Sequence, residues 1–349
     1  METPVVLFVF NRPALTRDAL QRLAAVRPEH LLVVADGPRH ADDEPLCRET
    51  REAVRRGISW RAHVDFLESP NNLGCRRRFE SGLDWVFDRV ERAVILEDDI
   101  EVTSSFFDFA SDSLEQFADR HDVRMISGRN VLIEYPDEPV PFLSRYGSIW
   151  AWATWADRWQ RYRREFSLSD ADSIRDGIER HAVFDVQKRL QQHLLDTRLW
   201  ERIDTWDIPW SLWNLATGGY CLNAPRNLAA NLGMNPDATH TKDADDVRGA
   251  YPLCSWIPVA ADPLAVPIHE EYDRLVTLLE MVLNYEHPRR WKVLAHQRNR
   301  HPIHTKGPGW EVMLGPFDYP VETSKLICTL KRWIRSPQLD RLGEIFPAT

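Results

Sequence analysis

Four short strand-like runs constrain this 349-residue chain most: PVVLFVF (4–10), HLLVVA (30–35), AHVDFLE (62–68) and RAVILE (92–97). An unbroken apolar run such as VVLFV is the pattern of a strand covered on both faces, as in parallel sheets. Between the runs the period changes. Leu15, Ala19, Leu20 and Leu23 recur at helical spacing, ETREAVRR (49–56) reads as a helix, and Phe79, Leu83, Val86 and Val90 share one helix face. Strands alternating with helices predict an α/β fold, a mostly parallel central sheet flanked by helices.

The ends of these runs carry the chemistry. The first closes on Asn11-Arg12-Pro13, the second on Asp36-Gly37, and the fourth on Glu97-Asp98-Asp99. Taken alone, Asp-Gly is an ordinary turn and Arg12 an ordinary surface residue. In a parallel sheet, however, these ends fall along one edge, where ligands of open α/β sheets bind. Three successive carboxylates repel one another and are costly to desolvate, so they either face water or meet a cation. A divalent ion such as Mn²⁺ or Mg²⁺, with an arginine and an aspartate on neighbouring strand ends, suits a nucleoside diphosphate.

Composition removes some classes. A net charge of −9 argues against a nucleic-acid partner. The five cysteines are scattered and odd in number, which fits a reducing compartment better than a disulfide framework. METPVVLFVFNRP has neither a basic start nor a signal-length apolar stretch, and no run suits a membrane span. The expected location is the cytoplasm. The 14 tryptophans, several of them near 150–159 and 200–213, suit either core packing or stacking on sugar rings.

The second half is less regular. VRMISGRNV (123–131) reads as a strand and a polar loop, SRYGSIWAWATWADRW (144–159) is dense in aromatics, and Asp207 sits in DTWDIPWSLW (204–213). Trp206, Pro209, Trp210 and Trp213 would give Asp207 the apolar surroundings of a general base. The same residues also read as a helix start, with Asp207 as its cap and Pro209 in its first turn. Helices are expected near 269–284 and 324–335. The latter places Leu326, Leu330 and Trp333 on one face among Lys325, Lys331, Arg332 and Arg335, a pattern that suits docking on an anionic membrane or packing on the protein body. The expected organisation is a domain over 1–245, with a nucleotide-binding half (1–110) and a catalytic half (111–245), followed by an extension over 246–349.

Across residues 4–241 the segments VLFVFNRPALTRDAL, LVVADGPR, NNLGCRRRFESGLDWVF, VILEDDIEVTSSFFDF, MISGRN, SIWAWATWADRW, TWDIPWSLW and NLAANLGMNPDATHT follow one another in an order that resembles a bacterial family of GT-A-fold glycosyltransferases, often labelled hemolytic-protein-like. The chain is more remotely similar to animal N-acetylglucosaminyltransferase I. The resemblance implies a metal-dependent, inverting transfer from a nucleotide-sugar donor, UDP-linked by preference, to a glycan or lipid-linked acceptor in polysaccharide or lipopolysaccharide synthesis. It implies nucleotide contacts at Asn11, Arg12, Asp36, Arg76 and Arg78, and a sugar or ribose contact at Asp98 beside Glu97. The metal would lie on Asp99, with His240 as a further ligand, and Asp207 would be the catalytic base. The remote relative has two adjacent acids where Ile208 follows Asp207 here.

Two other readings stand beside this one. A sugar-phosphate nucleotidyltransferase also needs a metal and a nucleotide-binding sheet, but normally has a glycine-rich loop after its first strand, and FNRPALT has no glycine. A non-catalytic carbohydrate- or partner-binding protein on the same scaffold would have no need for the set Arg12, Asp36, Asp98, Asp99 and Asp207.

Overall fold

The computed structural model describes residues 1–136, 138–166, 170–233 and 252–280, and the strands at 303–307 and 310–314. Its first half is a regular alternation: β1 Val5–Val9, α1 Pro13–Val26, β2 His30–Ala35, α2 Asp43–Gly57, β3 His63–Glu68, α3 Cys75–Phe87 and β4 Arg92–Glu97. The short β5 Ile100–Val102 and α4 Ser104–Gln116 follow, then β6 Val123–Ser127, β7 Phe142–Ser144 and β8 Trp152–Trp155. Next come α5 Ala156–Glu165, α6 Ala171–His181, α7 Asp185–Thr197, α8 Leu199–Arg202, α9 Asp207–Ala216, β9 Tyr220–Asn223, β10 Ala229–Asn231 and α10 Glu270–Glu280. The strands β11 Ile303–Gly307 and β12 Trp310–Leu314 pair antiparallel with each other.

The central sheet has eight strands in the order β3-β2-β1-β4-β8-β6-β9-β7. Strands β3, β2, β1 and β4 are parallel neighbours, and β6 is parallel to β9. β8 and β7 run against their neighbours. The sheet is therefore mostly parallel, as the apolar runs predict. Chain direction across it reverses at β1, which has β2 on one side and β4 on the other, and such a switch point opens a crevice at the strand ends.

Alternate residues of each strand serve opposite layers. Val5, Leu7, Val9, Leu31, Val33, Val94 and Leu96 pack with α1 and α4. Val6, Phe8, Leu32, Val34, Ala93 and Ile95 pack with α3, α5 and α9. This two-sided burial is why the runs carry almost no polar residue until they leave the sheet. Trp152, Trp159, Trp206, Trp210 and Trp213 all belong to the second layer and are almost fully buried. These five are core residues and not exposed sugar platforms. They meet edge-on or offset, as Trp152 on Trp206 and Phe79 on Trp206 with ring centroids 5.2 and 5.1 Å apart.

Residues 252–280, beyond the expected boundary at 245, pack on this body. Leu143 of β7 donates its N–H to Pro267 O (2.7 Å), and His269 N–H returns to Leu143 O (2.9 Å). Tyr272 on α10 is buried against Phe142 and Tyr135. The expected 324–335 helix lies outside the described residues. No helix among the described residues is long and apolar enough to cross a membrane.

Candidate active site

A cavity of about 820 Å³ opens at the C-terminal ends of β1, β2 and β4. Arg12, Asp36, Arg78, Glu97, Asp98, Asp99 and Asp207 all line it. The strand ends and the start of α9 thus bring together most of the residues singled out in the sequence.

The acidic triplet sits at the switch point. Asp99 Oδ2 accepts from Arg12 Nη1 at 2.5 Å, joining the end of β4 to the turn before α1. Asp98 Oδ2 accepts from Thr16 Oγ1 on α1 at 3.1 Å. Asp98 and Asp99 are 6% and 8% exposed. Burial, then the charges of Asp99 and Asp98, push the Glu97 carboxyl well above its ordinary range. Burial and the Asp99 charge push Asp98 upward too. Burial opposes the charge on Arg12, but Asp99 and Asp98 outweigh it and raise its pKa. One guanidinium therefore faces three carboxylates in a desolvated place. Asp99 Oδ1 is buried with no hydrogen-bond partner among the described residues. An orphaned carboxylate oxygen beside two further acids is the donor set that a hard divalent cation needs.

The chain returns to this point from far away. β10 pairs antiparallel with β5, and Leu232 N–H donates to Asp99 O at 2.8 Å. A Cβ at Gly233 would lie 2.0 Å from Asp99 Oδ2, so only glycine lets the backbone pass over the acid. His240 lies beyond it, outside the described residues.

Asp36 is a strut as well as a wall. Its carboxylate accepts from Gly37 N–H (2.8 Å), Leu73 N–H (3.0 Å) and Asn72 Nδ2 (2.9 Å). It thereby fixes the 71–74 loop that leads into α3. Burial raises its pKa, and these N–H groups and Arg78 oppose the rise. Gly74 begins α3 at φ 78°, where a Cβ would lie 2.5 Å from Asp204 Oδ2. That oxygen accepts the Cys75 N–H at 2.8 Å. Burial holds the Cys75 thiol well above its usual range, so the neighbouring arginines do not make it a thiolate. One turn along α3, Arg78 is 5% exposed. Its Nε and Nη2 find no hydrogen-bond partner among the described residues, and burial lowers its pKa. A buried cation with unused donors beside a cleft has the chemistry that an anion would match.

Two of the expected residues stand outside the cleft lining. Arg76 does not line the cleft: its Nε donates to Glu80 at 3.0 Å, an i,i+4 pair on the outside of α3. Asn11 does not line it either, because its Nδ2 donates to Asp43 Oδ1 at 2.7 Å. Asp43 also accepts from Arg39 Nε at 2.8 Å, and the Arg39 bond above all lowers its pKa to about 2. Arg39 itself lines the cleft. It is a cation that lay unnoticed in ADGPR, next to the strand end that carries Asp36.

Asp207 is the first residue of α9, and Trp206 holds the cap position. No side-chain cap bond forms there; Asp207 Oδ1 instead accepts from Thr205 Oγ1. The helix-cap reading of Asp207 is therefore not the structure's. Its carboxylate stands on the cleft wall, with buried Trp206 behind it. Trp150, from the aromatic stretch at 144–159, belongs to this wall, and the rest of it has no local sequence signal. Trp150 carries the Arg129 guanidinium on its face at 3.9 Å, and Gln191 of α7 and Tyr272 of α10 close the far end.

No family model and no curated protein matches the chain. Among solved structures it is similar to 4-diphosphocytidyl-2C-methyl-D-erythritol synthase from Anaerococcus prevotii DSM 20548, with 10% identity, coverage of 58% of this chain and 85% of that one, and a TM-score of 0.28. A likeness at that score does not assign a function.

Proposed function

We propose that the chain is a metal-dependent glycosyltransferase of the GT-A type, which moves a sugar from a nucleoside-diphosphate donor to a hydroxyl acceptor with inversion. The observation that carries this reading is one cleft that collects an orphaned acidic oxygen (Asp99), an unpartnered buried cation (Arg78) and a separate carboxylate on the opposite chain segment (Asp207). The first two suit a metal–diphosphate head and the third suits a base.

Mn²⁺ or Mg²⁺ held by Asp99, with Asp98 beside it, would neutralise the diphosphate and stabilise it as a leaving group. Arg12 and Arg78 bind the phosphates through charge-assisted hydrogen bonds. Asp36 holds the 71–74 loop against the end of β2, and the nucleoside lies on the cleft side of that loop. Asp207 takes the proton from the acceptor hydroxyl as its oxygen bonds to the anomeric carbon. The bond from that carbon to the β-phosphate oxygen breaks, and its electron pair leaves with the nucleoside diphosphate. A single displacement with one base inverts the anomeric centre. The acceptor, a glycan or lipid-linked glycan in surface polysaccharide synthesis, occupies the Tyr146, Gln191 and Tyr272 end of the cavity.

Incubation with a panel of nucleotide sugars and Mn²⁺ tests the reading. Slow release of nucleoside diphosphate from one of them, UDP-linked by preference, is the expected result. Pyrophosphate-dependent formation of nucleoside triphosphate would instead identify a nucleotidyltransferase. Binding without turnover for every nucleotide sugar and acceptor would leave a carbohydrate-binding scaffold.

A further inference from the structure

The opposite edge of the sheet carries a second set of metal-ligand atoms. His30 begins β2, and His63 begins β3 directly beside it in register. Asp65 lies two residues along β3, on the same face as His63. Asp65 Oδ2 stands 2.9 Å from His30 Nε2 and 3.2 Å from His63 Nε2. One ligand atom from each of the three residues lies within 4.8 Å of the other two. The two imidazoles thus converge on a single carboxylate oxygen from two strands.

We propose that His30, His63 and Asp65 bind a divalent transition-metal ion of the zinc class, with solvent completing the coordination. Ions of this class bond imidazole nitrogen and carboxylate oxygen at about 2.0–2.2 Å, which places neighbouring ligand atoms roughly 2.9 to 3.5 Å apart. The two nitrogen–oxygen separations already fall in that range. Two imidazoles and a carboxylate favour zinc, cobalt or nickel over Mg²⁺, which prefers oxygen. The sheet supplies the rigidity, since His63 N–H also donates to Glu29 O at 2.7 Å. The nearby Arg89 is held away, with its guanidinium on the Trp85 ring at 4.4 Å and on Trp85 O at 2.8 Å. The His63 side chain is 69% exposed, so the ion has an entry path.

The site is independent of the proposed transferase chemistry. It lies at the N-terminal ends of the strands, about 20 Å from their cleft ends for a six-residue strand. β3 is the outermost strand on this side of the sheet. An ion shared between β2 and β3 staples that edge.

Equilibrium dialysis of the full chain against Co²⁺ in excess Mg²⁺ tests the inference, read by bound cobalt and by its visible spectrum. One tightly held equivalent with an imidazole-type spectrum is expected, displaced by Zn²⁺ and retained in Asp99→Ala. His63→Ala and the bulkier His63→Gln, both at an exposed position, are each expected to weaken it at least tenfold, on the order of a lost ligand contact; His30→Ala does the same from β2. No bound cobalt in the wild type, binding that survives all three histidine variants, or binding lost in Asp99→Ala would each overturn it.

Discussion

The two halves of the central sheet treat buried charge differently. Around β1, β2 and β4, polar atoms are left over: among the described residues Asp99 Oδ1 and two nitrogens of Arg78 are buried without hydrogen-bond partners, on residues that line the cleft. Around β7 and β9, more of the buried charge is tied into the fold, although Arg124 of the neighbouring β6 also has a buried Nε without a hydrogen-bond partner among the described residues. Arg145 donates to Gly218 O (2.6 Å) and Gly219 O (2.9 Å) and lies on the Tyr220 ring. Asp273 on α10, 0% exposed, accepts from Ser144 Oγ (2.7 Å) and Arg145 N–H (2.8 Å). Its second oxygen has no partner, but burial raises its pKa to about 7, so a proton can settle there. A lone buried acid is relieved by one proton. Protons relieve Glu97 and Asp98 in the same way, since both are pushed upward, and under the proposed function a divalent cation takes their place. Under the proposed function, the contrast separates a half that binds ligand from a half that builds the body and contributes the base.

Replacing Asp207 tests this division with the largest expected effect. Asp207→Asn keeps the shape and the Thr205 contact. Transfer should fall by roughly 10²–10⁴-fold while sugar-donor affinity stays within a factor of about two, because a base acts in the transition state. A fall in donor affinity matching the fall in rate would put Asp207 in the binding half.

Asp273 tests the other side of the contrast. Its folded pKa of about 7 lies above the ordinary carboxylate value, so the folded state holds the proton more tightly. Its stabilising contribution is full below about pH 4 and is lost as pH rises through about 7, with an upper limit of about 4 kcal/mol. Denaturant unfolding between pH 4 and pH 8 should therefore show a flatter pH dependence for Asp273→Asn than for the wild type. Parallel curves would mean that Asp273 is ionised throughout and that its environment is more polar than its contacts indicate.

Arg78 should give a smaller effect on binding. Arg78→Met keeps a linear apolar stem without the charge; it relieves the desolvated guanidinium but also removes the charge facing Asp36, so folding stability should change little. Affinity for a nucleoside diphosphate should drop roughly 10- to 100-fold, the scale of a lost charge-assisted hydrogen bond. Lost stability with unchanged affinity would make Arg78 a structural partner of Asp36.

The binding half was largely legible in the sequence. Arg12, Asp36, Asp98 and Asp99 follow apolar strands directly, and parallel strands bring such ends to one edge. Two residues expected there stand off the cleft lining for local reasons. Arg76 and Glu80 are four residues apart on a helix and pair with each other, and Asn11 is taken by Asp43, 32 residues along the chain. In the other half, Asp207 stands out through its apolar neighbours and through the family resemblance, while the same motif also reads as a helix start. Gln191, Tyr272 and Gly233 reach the cleft through contacts across the fold that no local pattern encodes. The tryptophans were open between core and cleft. Packing decides for the core at Trp152, Trp159, Trp210 and Trp213, and at Trp206, which is buried yet also touches the cavity, while Trp150 lines the cavity.

Calorimetry of UDP binding, with Mn²⁺ and with EDTA, tests the central claim most directly when run on the wild type and on Asp99→Ala. The substitution removes an acidic side chain at a strand end and leaves the apolar layers intact. Mn²⁺-dependent binding in the wild type is predicted, weakened at least about tenfold by EDTA, on the order of one lost charged contact or more. Asp99→Ala should bind weakly and without regard to EDTA. Tight, EDTA-insensitive UDP binding by both proteins would contradict a metal-dependent site at the end of β4.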